Sequence, residues 1–229
     1  MSWRTVIISS RCKLDLKMGY LVVRGEDVKR IYLDEIGLLL IENPAVALTG
    51  CLLSALTEKK IKVLFCDNRH MPQSELIPVH GSYDSARKVK AQITWDETLK
   101  GVVWGEIIRQ KIFHQALFLS QLGFDREEQM LKGYLSQLEF QDATNREGHA
   151  AKVYFNAVFG MEFTRSGDSA ASSALDYGYT ILLSAFNREV SACGYLTQLG
   201  LHHDNGMNPF NLSSDLMEPF RICVDRIVY

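Results

Sequence analysis

The amino-terminal part of the chain is organised around residues 12–24, CKLDLKMGYLVVR. Apolar and polar side chains alternate along much of this segment, which is the period-two pattern of half-buried β-strands. Met18 and Gly19 lie between the two runs and are suited to a tight turn. The segment therefore predicts a β-hairpin with strands at residues 12–17 and 20–24.

Further strand-like segments surround this hairpin. They are short, β-branched or aliphatic, and lie at residues 4–9, 28–32, 36–41 and 62–66. Pro44 is placed to open a helix that reaches about Leu56, because proline is tolerated in the first turn of a helix. Pro72, Pro78 and Gly81 predict a linker.

The hydrophobic period changes to 3.6 residues beyond Ser85. Helical spacing is seen at Val103, Ile107, Ile108 and Ile112, and further helices are predicted around residues 127–138, 147–159 and 175–191. We therefore expect an α+β protein with a β-rich domain at residues 1–80 and an α-helical domain at residues 81–229.

The composition is that of a globular protein, with 47% hydrophobic and 23% charged residues in a chain of 229. The five cysteines are scattered without a CxxC pair, which favours a reducing compartment over a disulfide framework or a zinc ribbon. The chain shows no leader-like segment, and its apolar runs are too short to cross a bilayer. We expect a soluble, cytoplasmic protein that does not enter membranes.

The net charge of −2 would not by itself attract nucleic acid. Basic residues nevertheless cluster beside the predicted domain junction, at Lys59, Lys60, Lys62, Arg87, Lys88 and Lys90. Such clusters are usually solvated surfaces. Next to a metal centre they would become candidate contacts for the phosphates of DNA.

Two strings in the helical part offer chemistry. One is REGHAA at residues 146–151, and the other is His202-His203 followed by DLMEPFR at residues 215–221. Together they supply the carboxylates of Glu147 and Glu218 and the imidazole of His203. Two carboxylates with one imidazole favour a hard catalytic ion such as Mg²⁺ or Mn²⁺.

Each of these residues also has a structural interpretation. Thr144-x-x-Glu147 and Asp215-x-x-Glu218 both match helix capping boxes, and a loop histidine such as His203 is more often exposed than a ligand. Gly148 slightly favours a site, because glycine is costly in a first helical turn unless something approaches closely. The residues alone leave two alternatives open: a metal-dependent enzyme acting on phosphates, or a helical protein with well-capped helices.

The combination of motifs is more specific than its parts. EG-x-AA-x-x-YF from Glu147, L-x-YGY from Leu175, His203, and DLMEPFR from Asp215 resemble the CRISPR-associated integrases of spacer acquisition, in particular those of single-effector-nuclease systems. The amino-terminal strings LDEI, IEN and FCD follow in the expected order, so the resemblance covers essentially the whole chain. Ser172 departs from the asparagine usual in this family. Similar proteins continue through more helices, so we expect the chain to be short at its carboxyl end.

This resemblance implies a β-rich dimerisation domain and a catalytic helical domain. It implies that Glu147, His203 and Glu218 are the catalytic metal ligands for Mg²⁺ or Mn²⁺. It implies supporting roles for Asp215, Tyr177 and Arg146. Arg221 is a further supporting candidate from its position, since it follows Glu218 by three residues and could orient that carboxylate or hold a phosphate. The implied partners are double-stranded DNA, a second copy of the chain in a homodimer and a small ferredoxin-like adaptation protein. Further adaptation proteins and the effector nuclease are also implied.

The activity implied by the resemblance is that of a metal-dependent DNA integrase. It would insert short duplex fragments, the spacers, into a CRISPR array through attack of a 3′-hydroxyl on a phosphodiester. Two alternatives are a metal-dependent endonuclease that cuts without joining and a non-catalytic DNA-binding scaffold.

Overall fold

The computed structural model describes residues 3–79, 84–165 and 167–229 of the chain. The chain divides into two compact units, Met1–Val79 and His80–Tyr229. The first unit is built around β-sheets and the second from helices, so the α+β prediction is confirmed.

The first unit contains two four-stranded sheets. Its elements are β1 Arg4–Ile8, β2 Lys13–Lys17, β3 Tyr20–Arg24, β4 Val28–Tyr32, β5 Ile36–Ile41, β6 Ala47–Leu48, α1 Gly50–Glu58, β7 Lys62–Cys66 and β8 Pro72–Glu75. One sheet has the order β1-β5-β7-β8 and the other the order β4-β3-β2-β6. Alternating residues of both sheets, together with Leu52 and Leu56 of α1, form one hydrophobic core.

The predicted hairpin is present. Strands β2 and β3 pair antiparallel, with Leu14 opposite Val23 and Lys17 opposite Tyr20. Met18 and Gly19 both have positive φ, at 50° and 79°, as a two-residue turn that matches strand twist requires. The alternation in the sequence therefore gave the correct register, since it buries Leu14 and Leu21 on the core side.

Two predictions for the first unit were wrong, and both involve proline. Helix α1 begins at Gly50 because Thr49 caps it, accepting a hydrogen bond from Leu52 N at 3.3 Å, whereas Pro44 lies in the preceding turn. Pro72 does not belong to a linker but opens strand β8, an edge strand where a missing N–H is tolerated. Gly81 lies outside the described residues.

The second unit contains seven helices in its described part. They are α2 Ser85–Ile93, α3 Glu97–Gln121, α4 Asp125–Ser136, α5 Arg146–Phe159, α6 Ala170–Ala192, α7 Asn211–Met217 and α8 Arg221–Val228, with short 3₁₀ turns at Phe140–Asp142 and Glu218–Phe220. The predicted helices around 127–138, 147–159 and 175–191 correspond to α4, α5 and α6. None of the described helices has both the length and the apolar character that crossing a membrane requires.

Helix α3 is the central element of this unit. Asp96 caps it, accepting from Leu99 N at 3.0 Å, and its buried face carries Trp104, Ile108, Ile112 and Leu119 at helical spacing. The helix packs against α4, α5, α8 and the turn at 218–220. Segments that are far apart in the sequence therefore meet along one side of α3.

The glycine of the L-x-YGY motif allows α6 and α8 to pack closely. A Cβ added to Gly178 would overlap the Cγ1 atom of Val224 on α8. Gly105 on α3 is different, since nothing lies within 4 Å of an added Cβ. Close packing therefore requires a glycine at position 178 but not at position 105.

We predict opposite effects of alanine at these two sites. Gly178→Ala should lower the free energy of unfolding by about 1–3 kcal/mol, because the methyl group forces α8 away. Gly105→Ala should raise it by about 0.5–1 kcal/mol, since alanine restricts the unfolded chain without a clash. Urea denaturation followed by circular dichroism measures both. An equal effect of the two substitutions would contradict the close packing at Gly178.

Candidate metal centre

Glu147 lies in the first turn of α5 but does not cap that helix. Asn145, with a φ of 51°, is the N-cap and accepts a hydrogen bond from Gly148 N at 3.2 Å. Asp142 accepts from the backbone N–H groups of Arg146 and Glu147 at 2.7 and 2.9 Å. The capping box from Thr144 is therefore wrong, because other side chains already satisfy these donors. The side chain of Glu147 is left to make tertiary contacts.

Gly148 is required by this cap. A Cβ on Gly148 would lie 2.7 Å from Asn145 Oδ1. The group that approaches Gly148 closely is the side chain of the cap, Asn145. Gly148 is therefore not by itself evidence for a bulky substrate.

Glu147 and Glu218 converge on a single cation, the ammonium group of Lys111. Lys111 Nζ donates to Glu147 Oε1 and to Glu218 Oε2, each at 2.5 Å. The three residues come from α5, from the 218–220 turn and from α3. Glu218 is only 5% exposed and Lys111 11%, whereas Glu147 is 28% exposed. The fold thus brings together two carboxylates that are distant in sequence.

Burial and charge act in opposite directions on these groups. Burial alone would lower the pKa of Lys111, but the negative charges of Glu218 and Glu147 and their hydrogen bonds raise it above its ordinary value. Burial would raise the pKa of Glu218, but Lys111 and Arg221 hold that pKa below its ordinary range. Both groups are therefore ionised near neutral pH.

His203 is fixed by Asp215, a fully buried residue of α7. Asp215 Oδ1 bonds to His203 Nδ1 at 2.5 Å, and the Asp215 carboxylate also accepts the backbone N–H groups of residues 201–203. Gly200 permits this approach, since its Cβ would lie 2.8 Å from Asp215 Oδ2. The bond at Nδ1 leaves Nε2 as the ring atom for a ligand.

Asp215 is consequently not the N-cap that its spacing to Glu218 suggested. It lies inside α7 and uses both oxygens to hold the histidine loop. Its hydrogen bond raises the pKa of His203, an effect that burial opposes and that the charges of Asp215, Glu218 and Glu147 reinforce. His203 therefore experiences the field of both converging carboxylates. Trp104 stacks on the neighbouring His202 with ring centroids 4.3 Å apart.

A second buried aspartate, Asp225, supports the site from α8, the helix that follows Glu218 in the sequence. It accepts hydrogen bonds from Tyr154 of α5 at 2.9 Å and from Tyr179 of α6. Burial raises the pKa of Asp225 despite these bonds and the nearby positive charges. Arg221 lies over the Tyr179 ring at 4.6 Å and donates to Glu218 Oε1 at 2.9 Å.

The sequence motifs assigned no role to Tyr154 and Tyr179, although they contain both residues, and they do not include Lys111 or Asp225. Lys111 carried a signal, because it is a charged residue beside the apolar stripe of Ile108 and Ile112 on α3. A cavity of about 240 Å³ is lined by Lys111, Tyr179 and Asp225 together with Glu147, Glu218 and Arg221. The cavity also contains Gln115, whose Oε1 is buried and meets no donor among the described residues.

The other predicted residues lie at various places. Arg146 lies over the ring of Tyr134 at 5.8 Å, and Tyr177 is on α6, the helix that supplies Tyr179. Ser172 donates to Thr164 O at 3.0 Å, and the residue that caps α6 is Ser169.

The predicted basic residues differ in pairing and exposure. Lys59 pairs with Asp34, while Arg87 and Lys88 pair with Asp84. Lys60 and Lys90 are exposed. The prediction of Lys62 as a surface contact for DNA was wrong, because Lys62 is 4% exposed and pairs with Glu75 within one sheet of the first unit.

The donor set fits a divalent metal in part. Two carboxylates already bind one cation, which shows that their oxygens are placed to share a positive charge, and the unpaired Gln115 oxygen suits a water of a hydrated ion. However, no three His, Cys, Asp or Glu side chains among the described residues are grouped closely enough to hold a metal. Lys111 occupies the centre, and His203 is near enough for the charges of Glu218 and Glu147 to raise its pKa.

We predict that Asp215 controls the protonation of His203. Asp215→Asn should lower the pKa of His203 in the metal-free protein, because it removes the largest cause of the upward shift. A raised His203 pKa stabilises the folded state at low pH. The difference in free energy of unfolding between wild type and Asp215→Asn should therefore shrink as the pH rises through the folded-state pKa of His203. NMR titration of the imidazole measures the pKa directly.

Asp204→Asn is the matched control, since Asp204 is an exposed carboxyl of the same loop. It should leave the His203 titration unchanged. An unchanged titration in Asp215→Asn would contradict the proposed role of Asp215.

Comparison with known proteins identifies the family of this chain. The family model of the CRISPR associated protein Cas1 matches residues 5–229. A CRISPR-associated endonuclease Cas1 from Neisseria meningitidis serogroup C is 36% identical over all of this chain and 75% of its own length. Its counterpart in Francisella tularensis subsp. novicida is 25% identical over 94% of this chain and 74% of its own length.

Solved structures share the fold. A CAS1 protein from Thermotoga maritima superposes with a TM-score of 0.78 at 19% identity, over 98% of this chain and 77% of that one. A casposase bound to integration product gives 0.77 at 17% identity, over 99% and 72%. A chain of a Cas6-RT-Cas1–Cas2 complex gives 0.74 at 19% identity, over 99% of this chain and 27% of that chain.

Because the family model covers nearly every residue and the Neisseria relative matches along the whole chain, this protein belongs to the Cas1 family.

Proposed function

We propose that this chain is a metal-dependent DNA integrase that inserts short duplex fragments into a CRISPR array. The observation that supports this proposal most directly is the convergence of Glu147 and Glu218 on one cation. The charges of both carboxylates also act on His203, whose ring is fixed by a buried aspartate. Hard oxygen ligands with one imidazole suit Mg²⁺ or Mn²⁺.

In this proposal Glu147, Glu218 and His203 hold the ion. When bound, Mg²⁺ or Mn²⁺ would neutralise charge that develops on the phosphate and would activate a hydroxyl. Asp215 orients His203 through Nδ1, and Arg221 keeps one oxygen of Glu218 in place while the other faces Lys111. These contacts reduce the freedom of the ligands before an ion arrives, as outer partners of metal ligands do.

The reaction we propose is a transesterification. The 3′-oxygen of the incoming fragment forms a bond to the phosphorus of the target, and the bond from phosphorus to the target's own 3′-oxygen breaks. The proton of the attacking hydroxyl is lost, and one is gained by the leaving oxygen. One phosphoester bond replaces another, so no nucleotide cofactor is required.

Basic groups of the cavity suit the target phosphate. Arg165 and Arg221 both line the cavity and both lie over the Tyr179 ring, at 5.1 and 4.6 Å. Guanidinium groups bind phosphate oxygens in a bidentate manner. We assign these two arginines to orienting the phosphodiester.

The relatives support the same reading. The Neisseria meningitidis relative is described as an endonuclease, and the casposase of similar fold is bound to integration product. Solved Cas1–Cas2 complexes among the structural neighbours support the small adaptation partner.

We further propose a homodimer formed through the first unit, since two fragment ends require two catalytic sites. Two alternatives are a nuclease that does not join DNA and a scaffold that only binds it.

We predict that Glu147→Gln and Glu218→Gln each lower strand transfer by at least about 100-fold, because loss of a ligand should cost at least as much as loss of its outer partners. The assay uses labelled duplex fragments and a repeat-containing plasmid, with Mn²⁺ or Mg²⁺, with and without the small partner protein. Joined and merely cut products are separated on a denaturing gel.

The control is Glu106→Gln, an exposed carboxylate on α3 paired with Arg109, which should retain full activity. Sizing of each variant shows whether folding and assembly persist. Cut products alone would favour the nuclease alternative, and DNA binding without either product would favour the scaffold. Unchanged joining in both glutamine variants would contradict the proposed metal centre.

Two exposed residues of the predicted basic set are the proposed DNA contacts, Lys60 in the first unit and Lys90 in the second. We predict that Lys90→Glu weakens binding to any duplex and reduces the slope of log affinity against log salt by about 1, the loss of one phosphate contact. Fluorescence anisotropy over a salt series measures both. Lys132→Glu, an exposed lysine of α4 paired with Glu128, is the comparison, and an equal loss there would contradict a specific role for α2.

A further inference from the structure

Lys111 is the group at the centre of the carboxylate pair. Its stem lies along the buried side of α3, and its ammonium donates to Glu147 Oε1 and Glu218 Oε2 at 2.5 Å each. A divalent ion held by the same two residues would need these oxygens. An ammonium ion and a metal ion cannot both occupy the space between them.

We propose that Lys111 is a positioning residue, an internal counter-ion that holds Glu147 and Glu218 together in the metal-free protein and sets metal affinity by competing for their oxygens. This inference rests on the proposed metal-dependent function of the same site.

The burial of the site gives the physical reason. Glu218 is 5% exposed, and an isolated buried carboxylate is costly unless a cation compensates its charge. Arg221 provides part of that compensation through Oε1 of Glu218, at 2.9 Å. Lys111 uses the remaining oxygen, Oε2, and also draws in Glu147 from α5. The two carboxylates are thereby kept close although they repel each other.

A lysine at position 111 is suited both to binding the two carboxylates and to leaving them. A lysine ammonium is a point charge on a flexible four-carbon stem, whereas the planar guanidinium of arginine binds carboxylates in a fixed fork. Lys111 is therefore able to withdraw when a divalent ion arrives. Its withdrawal costs free energy, so the wild-type site should bind metal less tightly than a site without this lysine.

The test is the affinity for Mn²⁺ alone, measured on the full chain without DNA by the loss of the free Mn²⁺ signal in electron paramagnetic resonance. Lys111→Met removes the charge and retains the stem, and we expect its affinity to rise by about tenfold, the scale of outer-partner effects. Lys111→Arg keeps the charge and binds carboxylates in a fixed fork, so it should bind Mn²⁺ no more tightly than wild type. Lys100→Met is the control, since Lys100 lies on the same helix and pairs with the exposed Glu97.

Thermal unfolding separates competition from a purely structural role. Without metal, Lys111→Met should melt below wild type, and saturating Mn²⁺ should remove most of that difference because the ion replaces the missing charge. A structural lysine would give the same deficit with and without Mn²⁺. If Lys111→Met does not fold alone, refolding in Mn²⁺ should rescue it, and failure of that rescue overturns the proposal.

The outcomes distinguish this inference from the proposed function. Equal Mn²⁺ affinity in wild type and Lys111→Met, with binding lost in Glu218→Gln, would overturn the role of Lys111 and leave the metal centre intact. Absence of Mn²⁺ binding in wild type and in Lys111→Met alike would overturn the metal centre itself, and this inference with it.

Discussion

The helical unit depends on neutralising buried charge at the place where three segments meet. Lys111 of α3, Glu147 of α5 and Glu218 of the turn before α8 share one ion-pair network, in which Lys111 and Glu218 have little exposure to solvent. Removing one member of such a network usually costs about 3–5 kcal/mol, because the partners remain buried without compensation. The position of each backbone segment is therefore tied to the charge of the others, and the same contacts define the candidate metal centre.

Two buried aspartates extend this constraint. Asp215 holds the loop of His203 through hydrogen bonds to both of its oxygens, and Asp225 ties α8 to Tyr154 of α5 and Tyr179 of α6. Each carboxylate satisfies donors from elements other than its own, so each fixes a tertiary arrangement and not a local one. Buried networks of this kind specify geometry when all members are satisfied. A site of ligands from separate segments needs that precision.

The local predictions succeeded where one physical cause dominated. Alternation gave the hairpin at residues 12–24 with its register, and 3.6-residue periodicity gave the main helices, since burial of one face determines both patterns. The capping predictions failed for a definite reason. The spacings at Thr144 and Asp215 allowed capping boxes, but Asn145 already caps α5 and Asp215 is used by the histidine loop. In both cases other hydrogen bonds replaced those of the capping box, and residue spacing alone does not reveal them.

The sequence by itself determined the α+β class, most of the elements and, through its resemblance, membership of the Cas1 family. It also identified Glu147, Glu218 and His203 as candidate metal ligands, since carboxylate and imidazole residues in motifs can be recognised from the sequence alone. The tertiary structure alone decided that Lys111 lies between the two carboxylates, that Lys62 is buried and that Asp225 supports α8. The physical reason is that burial and ion pairing depend on which distant segments meet, and that is set by the packing of the whole unit.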